Sequence, residues 1–382
     1  MSSGPGGPRF GIGQVGLGSI TTVHREGYRL YGQPVVAGFD PDETARARFA
    51  ADTPSAAVHT TLDDLLDDPA VGVVDVATPH HRATRLPVIE RIAEAGKPFL
   101  VQKPLAMSYS EALELVEVAE RAGVVGMVNQ NMCFTPAAIA LAKAVVDDRL
   151  IGEPAYAQLL CQYQFDLDYH PWFGKDERWW TVGLSVHQLG LLQLLFGPPQ
   201  TVYALTGRDI SQPGVTVDGF GHLALRYANG MQLMLVSTGT YYGTQPVRHG
   251  DEALWIQGPE GIVDWRPQGD MVVSTRAGET VDRKYITPHT DGLWFPHAFA
   301  LTMAHFRQAL EAGQAPLCSV QDNLAVMAVV EATYRSSAEN RVVAVEEIMG
   351  SRYDPAYGPG YTHGFREWLP PYPVAEIDAA RR

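Results

Sequence analysis

Only three cysteines occur in the 382-residue chain. Cys133, Cys161 and Cys318 lie far apart and form no Cys-x-x-Cys pair. That excludes a dithiol redox centre or a cysteine-built zinc site and leaves reduced core thiols as the reading. Also missing is any uninterrupted apolar run of about 18 residues, the length that a membrane-spanning helix needs. The opening Met1-Ser2-Ser3-Gly4-Pro5-Gly6-Gly7-Pro8 lacks the basic-then-apolar order of a signal peptide. A cytoplasmic protein with no membrane partner is therefore expected. Positive charge is scarce too, and the formal net charge is −14. Without a basic stripe, neither nucleic acid nor a polyanionic substrate is favoured, and the acidic surface reads as solubility.

What the chain does have is apolar content, 46% of its residues, which over this length is enough for two domains. From Phe10 to Val128, short apolar runs alternate with helix-period segments. Phe10 to Val15, Val35 to Phe39, Val73 to Ala77, Phe99 to Val101 and Val124 to Val128 read as buried strands. Ala83 to Ala95 and Glu111 to Ala122 read as helices between them. This order predicts an α/β domain, a parallel sheet covered by helices on both faces. Gly96 and Gly123 fall where left-handed C-caps are needed, and Ser108 with Glu111 three residues later matches a capping box.

After Pro136 the pattern changes. One helix runs to Asp148, and beyond Ile151-Gly152-Glu153-Pro154 the apolar residues alternate with period two, as at Ala157, Leu159, Cys161, Tyr163 and Phe165. Ala228-Asn229-Gly230 and Pro259-Glu260-Gly261 each separate two such runs, which predicts hairpins and a large, mostly antiparallel open sheet. Two late helices, Pro296 to Ala312 and Val320 to Ser337, close this α+β domain. From Ser351 the Pro-, Gly- and Tyr-rich tail reads as an extended arm.

The first strand runs into Gly16-Leu17-Gly18-Ser19-Ile20-Thr21, a Gly-x-Gly with a small residue in place of the third glycine. The first glycine permits a tight turn, and the second lets the backbone approach a pyrophosphate. The helix opening at Ser19 and Ile20 then points its positive N-terminus at that anion. Asp40 ends the second strand, where an acid accepts hydrogen bonds from the adenosine ribose and repels the 2′-phosphate of NADP. NAD is the cofactor this pattern favours; the other reading of Asp40 is a helix cap ahead of Pro41.

Thr78-Pro79 at a strand end, Gly96-Lys97-Pro98 leading into Gln102-Lys103-Pro104, and Ile151-Gly152-Glu153-Pro154 follow in order. With Tyr334-Arg335-Ser336-Ser337-Ala338 before Arg341-Val342-Val343, they resemble the glucose–fructose oxidoreductase and inositol dehydrogenase family (Gfo/Idh/MocA) from Phe10 to Val345. The resemblance implies a Rossmann domain over residues 8–130, a substrate-binding and oligomerisation domain over 131–348, and a C-terminal arm over 349–382. It implies a homodimer or homotetramer joined through the second sheet, and an NAD-dependent dehydrogenase of a small carbohydrate or polyol. By the same resemblance Gly16, Gly18, Ser19, Ile20, Asp40, Thr78, Pro79, His81, Gln102 and Lys103 would hold the cofactor.

Lys103 matches the catalytic lysine of the family's Glu-Lys-Pro, although Gln102 stands where the glutamate is expected and removes a charge beside it. Such a lysine stabilises the developing alkoxide and assists proton transfer. The family's Asp-x-x-x-His is half present: His187 aligns with the histidine and Gly183 with the aspartate. His187 is thus the second catalytic candidate. His80 and His81 stand near the place of a further family histidine, and Asn129-Gln130-Asn131-Met132 replaces an Asn-Arg pair.

The segment from Asp166 to Trp180 combines acids with three tryptophans, a composition suited to covering the apolar face of a sugar. An aromatic plug is the competing reading. Lys103, Tyr163, His170, Trp172, Trp180 and His187 are the substrate-binding candidates, and Trp294, His297 and His305 form a later cluster that could reach the same cleft. Asp166, Asp168, His170 and His187 match no metal-ligand spacing, so no metal is expected. Two other activities fit the same residues: a redox-neutral glycosidase that keeps its NAD, and a non-catalytic sugar or nucleotide sensor.

Overall fold

The computed structural model describes residues 10–163, 176, 178–210, 217–239, 251–267, 271–277, 280–286 and 294–355. Asp166, Asp168, His170, Trp172 and the arm beyond residue 355 lie outside the described residues. The chain begins with β1 (Gly11–Val15), α1 (Ser19–Leu30), β2 (Val35–Phe39), α2 (Glu43–Asp52), β3 (Ala57–His59) and α3 (Leu62–Asp67). It continues through β4 (Val71–Val76), α4 (Arg82–Glu94), β5 (Phe99–Gln102), α5 (Tyr109–Ala122) and β6 (Gly126–Asn129). The six strands pair in parallel in the order β3-β2-β1-β4-β5-β6.

Helices on both faces bury the central strands, which is why these read as near-continuous apolar runs. In β4 the exception is Asp75, a carboxylate with no exposed surface. The sequence pattern missed α2, β3 and α3 because they are short and largely polar. They depend instead on caps: Asp42 accepts from the Thr44 amide and Thr61 from that of Asp64.

The cap of α5 is shifted by one residue from expectation. Ser108 accepts from the Glu111 amide, but the Glu111 carboxylate takes its bond from the Met107 amide. The reciprocal capping box lies later, between Ser319 and Asp322. Gly123 ends α5 in the left-handed conformation at φ +65°.

The expected helix to Asp148 is two pieces, α6 (Pro136–Ala142) and a π turn at Lys143–Asp147. There follow β7 (Tyr156–Gln162), a π turn at Thr181–Ser185 that feeds α7 (Val186–Phe196), and the strands β8 (Thr201–Gly207), β9 (Phe220–Arg226) and β10 (Gln232–Thr238). Next are β11 (Asp251–Gln257), β12 (Gly261–Trp265), β13 (Met271–Ala277) and β14 (Thr280–Ile286). The helices α8 (His297–Ala312) and α9 (Val320–Glu339), the strand β15 (Val343–Ala344) and α10 (Glu346–Met349) complete the described chain.

These nine described strands form one sheet in the order β14-β13-β12-β11-β7-β10-β9-β8-β15. It is antiparallel except where β7 lies parallel to β10. On β7 the alternation held, with Ala157, Leu159 and Cys161 inward.

The division of the sequence is not a division in space, because α8 packs on α1. A side chain at Gly27 would lie 2.5 Å from the Pro296 carbonyl oxygen, so the two helices meet at backbone distance. Beside β6, Ser319 bridges to Met127, and the Val128 amide donates to the Cys318 carbonyl at 2.8 Å. The same turn brings the buried thiols of Cys318 and Cys133 into hydrogen-bonding contact, which their spacing in the sequence does not disclose. Among the described residues, no helix is long and apolar enough to cross a membrane.

Candidate active site

Ligands of open parallel sheets sit beyond the carboxyl ends of the strands, where the strand order reverses; here that is between β1 and β4. Gly16, just past β1, has φ +88°, and a Cβ there would lie 2.7 Å from the Ala77 carbonyl oxygen, so only glycine fits. At Gly18 a Cβ would meet nothing within 4 Å, which leaves open space over the turn. The helix that starts at Ser19 and Ile20 has no side-chain cap and no acid in its first turn, leaving its amides to an anion. Thr21, in the third-glycine position, is buried and its hydroxyl donates back to the Gly18 carbonyl at 2.7 Å.

Asp40 faces this turn. One carboxylate oxygen accepts from the Leu17 amide at 2.7 Å and the other from the Asp42 amide at 2.9 Å. The helix cap is Asp42, not Asp40. Arg46 binds the Asp40 and Pro41 carbonyls at 2.7 and 3.0 Å. Open space at Gly18, free helix amides and a carboxylate beside the turn suit a dinucleotide.

The ends of β4 and β5 are tied together by Arg85. Its buried guanidinium donates to the carbonyls of Thr78 (2.7 Å), Gln102 (2.9 Å) and Leu105 (3.0 Å), and to that of Pro104. Burial works against this charge; four carbonyl dipoles offset the cost. Beside the cation, after Thr78-Pro79, the Thr78 hydroxyl is buried with no hydrogen-bond partner among the described residues, and so are both polar atoms of the Asn129 carboxamide at the end of β6. Buried groups of this kind await a ligand or water.

From β5 the Lys103 ammonium reaches across to the second domain and donates to the Gly183 carbonyl at 2.7 Å. Burial, with no opposite charge to offset it, pulls the lysine pKa down to about 8. Gly183 lies in the π turn at Thr181–Ser185, where the backbone departs from the α-helical hydrogen-bond register. One turn on is His187, 7% exposed, with its ring edge-on to Trp294 at 4.9 Å between centroids. Another turn on, Gly190 packs against the Gln130 carboxamide. The fold therefore brings Lys103, Gly183, His187 and Trp294 close together.

Other expected residues lie elsewhere. Trp180 is 1% exposed, its indole N–H donates to Ser237 Oγ at 2.8 Å, and Trp179 stacks edge-on at 5.6 Å. No face of its ring is left for a sugar, and it is an aromatic plug. Tyr163 packs partly buried against it. His170 and Trp172 are outside the described residues. His305 is a core residue whose Nε2 accepts from the Leu317 amide at 2.9 Å.

His81 is a half-exposed side chain 3.4 Å from the Asp176 carboxylate, with His80 3.9 Å from the same group. These three carry metal-type donors. Burial lowers the His80 pKa to about 3, with help from the charges of Arg85, His81 and Lys103.

Comparison with known proteins matches residues 10–130 to an oxidoreductase family model with an NAD-binding Rossmann fold, and residues 151–345 to that family's C-terminal alpha/beta domain. The chain belongs to the Gfo/Idh/MocA oxidoreductase family. It is 26% identical over 356 residues to a D-apiose dehydrogenase of Paraburkholderia graminis, covering 89% of this chain and 91% of the relative. An oxidoreductase from Agrobacterium radiobacter, solved with NAD+, L-tartaric acid and magnesium, superposes with TM-score 0.79 at 23% identity, covering 89% of this chain and 99% of that one. A levoglucosan dehydrogenase solved with NADH and levoglucosan gives TM-score 0.78 at 22% identity, covering 88% and 99%. These two likenesses concern the fold.

Within this family frame, three features escaped the sequence reading. The Gly183 carbonyl is one, since a backbone atom leaves no trace in a motif. Arg85 is another, although it shares the apolar stripe of α4 with Ile89 and Ile92, and an arginine on a buried stripe signals a task. His24 is the third, on the buried stripe of α1 with Thr21 and Tyr28.

Proposed function

We propose that this Gfo/Idh/MocA oxidoreductase is an NAD-dependent dehydrogenase of a sugar or polyol, with Lys103 and His187 moving the hydroxyl proton. The observation that carries the reading is the buried Lys103 ammonium on the Gly183 carbonyl, one helical turn from His187. Bound NAD would supply the hydride acceptor at its nicotinamide. In the oxidative direction the uncharged Lys103 amine accepts the proton of the substrate hydroxyl while the C–H bond gives up its hydride. In the reductive direction the ammonium returns that proton to the alkoxide. His187, against Trp294, would hydrogen-bond the same oxygen and assist that transfer. The D-apiose dehydrogenase supports a sugar as substrate.

NAD is favoured over NADP because the Asp40 carboxylate stands beside the glycine turn and Arg46 is engaged by backbone carbonyls. A homo-oligomer is favoured by the outer face of the nine-stranded sheet. Strand register puts Tyr156, Met234, Tyr203, Leu205 and Ile262 on one face, and all five are exposed large apolar residues.

The test is substrate-dependent NADH formation by the purified protein with NAD or NADP and a panel of aldoses, inositols, anhydrosugars and glycosides. NADH that disappears in Lys103→Ala supports the reading. Turnover that survives Lys103→Ala, or a cleaved glycoside with no net NADH, overturns it.

A further inference from the structure

Behind Lys103 runs a buried chain of hydrogen bonds that no motif announces. Asp75 on β4 places one carboxylate oxygen, Oδ2, against three donors: Gln14 Nε2 at 2.9 Å, His24 Nδ1 at 2.9 Å and the Tyr28 hydroxyl at 3.1 Å. Gln14, His24, Tyr28 and Asp75 have no exposed surface. The other nitrogen of His24, Nε2, lies 3.1 Å from Gln102 Nε2. The Gln102 oxygen accepts from the Lys103 amide at 2.8 Å.

A backbone amide can only donate, so the atom of Gln102 facing Lys103 must be its oxygen. The carboxamide NH2 then faces His24 and donates to Nε2. That nitrogen carries no proton, and the histidine proton sits on Nδ1, donated to Asp75. Each bond fixes the next, from a fully buried carboxylate to the residue whose side chain would meet the substrate. A carboxamide has no proton to pass on, so the chain positions and does not relay. The His24 ring is also held by Phe299, 4.3 Å away between centroids.

We propose that Asp75 and His24 are positioning residues for Lys103, acting through Gln102, which they lock in the one orientation that accepts from the lysine backbone. This rests on Lys103 as the proton-transfer residue. With glutamine at 102 the lock adds no charge beside the lysine. A carboxylate there would need a proton on His24 Nε2, giving an imidazolium between two acids. Among the described residues, the titratable and charged groups around Lys103 are His80 and Arg85 after β4, His187 on α7 and, through Gln102, His24 and Asp75.

Nitrogen-15 NMR of the full-length protein with labelled histidine rings reads the tautomer without any substitution. The expected result is a His24 proton on Nδ1 alone; a proton on Nε2 in the unsubstituted protein overturns the proposal. With NAD and the substrate that the panel identifies, Gln102→Met and Asp75→Asn should both lower kcat about tenfold to a hundredfold, and Asp75→Asn should do so with KM for NAD near its starting value. Gln102→Glu should protonate His24 Nε2 and move the lysine limb of the pH–rate profile to higher pH. If these variants match the starting enzyme in kcat and pH profile while Lys103→Ala is inactive, the positioning role falls and the function stands. If Lys103→Ala is active, the function itself falls.

Discussion

The Lys103 ammonium and the Gly183 carbonyl oxygen are 2.7 Å apart, and this bond joins the two domains. The acceptor is a neutral dipole. Its neighbour Gln102 is neutral as well, so burial alone sets the lysine pKa, at about 8. In a family whose pattern expects an acid at both positions, this chain has removed two charges from one lysine.

The rate of substrate oxidation should therefore rise with pH through about 8 as Lys103 loses its proton. The rate of reduction should fall over the same interval. Initial rates in both directions from pH 6 to 10 check this; a limb near the ordinary lysine value of about 10.4 would contradict it.

Restoring an acid tests the cause. Gly183→Asp adds a carboxylate to the residue whose carbonyl Lys103 binds, and a carboxylate within reach favours the ammonium, so the limb should move up by about one pH unit or more. An unmoved limb in a folded, active variant would mean that burial and carbonyl contact do not control this lysine.

Asp40 holds the glycine turn through the Leu17 amide. Asp40→Ser should weaken NAD and admit NADP, changing the ratio of their kcat/KM values at least tenfold, about 1.4 kcal/mol. Steady-state kinetics with each cofactor give the answer. An unchanged ratio would leave Asp40 with only its structural bonds.

Glu252 on β11 is a buried carboxyl bonded by Gln188, and burial raises its pKa to about 7. A carboxyl whose folded pKa is raised contributes its stability below the unfolded value, near 4.5, and loses it as pH rises through about 7. Glu252→Gln should therefore raise Tm at pH 8, by about 1–2 °C for a gain on the order of 1 kcal/mol, and flatten the loss of Tm between pH 5 and 8. Thermal denaturation of both proteins across that range is the measurement. A lower Tm for the variant at pH 8 would show that the carboxyl is better satisfied than its burial implies.

Much of the fold was legible because its periodicities are strong. Parallel strands read as apolar runs, and β7 reads as alternation. What was not legible is short or local: β3 has three residues, and the π turns at Lys143 and Thr181 obey no side-chain period. In the candidate site, the residues that a sequence reading could nominate are those with a motif around them, among them Gly16, Gly18 and Lys103. Trp180 was misplaced because composition cannot tell an aromatic that faces a ligand from one that fills a core. His24, Asp75 and Arg85 sit in buried positions, where a lone polar residue in an apolar pattern is the only trace.

The bridge from Ser319 to Met127 has a consequence for assembly. Strand β6 ends the parallel sheet, and an open row of amides and carbonyls there would template the pairing of a foreign strand. This chain fills part of that row with its own turn at Cys318 and Ser319, donated from nearly two hundred residues downstream. That rim is guarded against pairing with a foreign strand, which confines the homo-oligomer proposed above to the outer face of the second sheet.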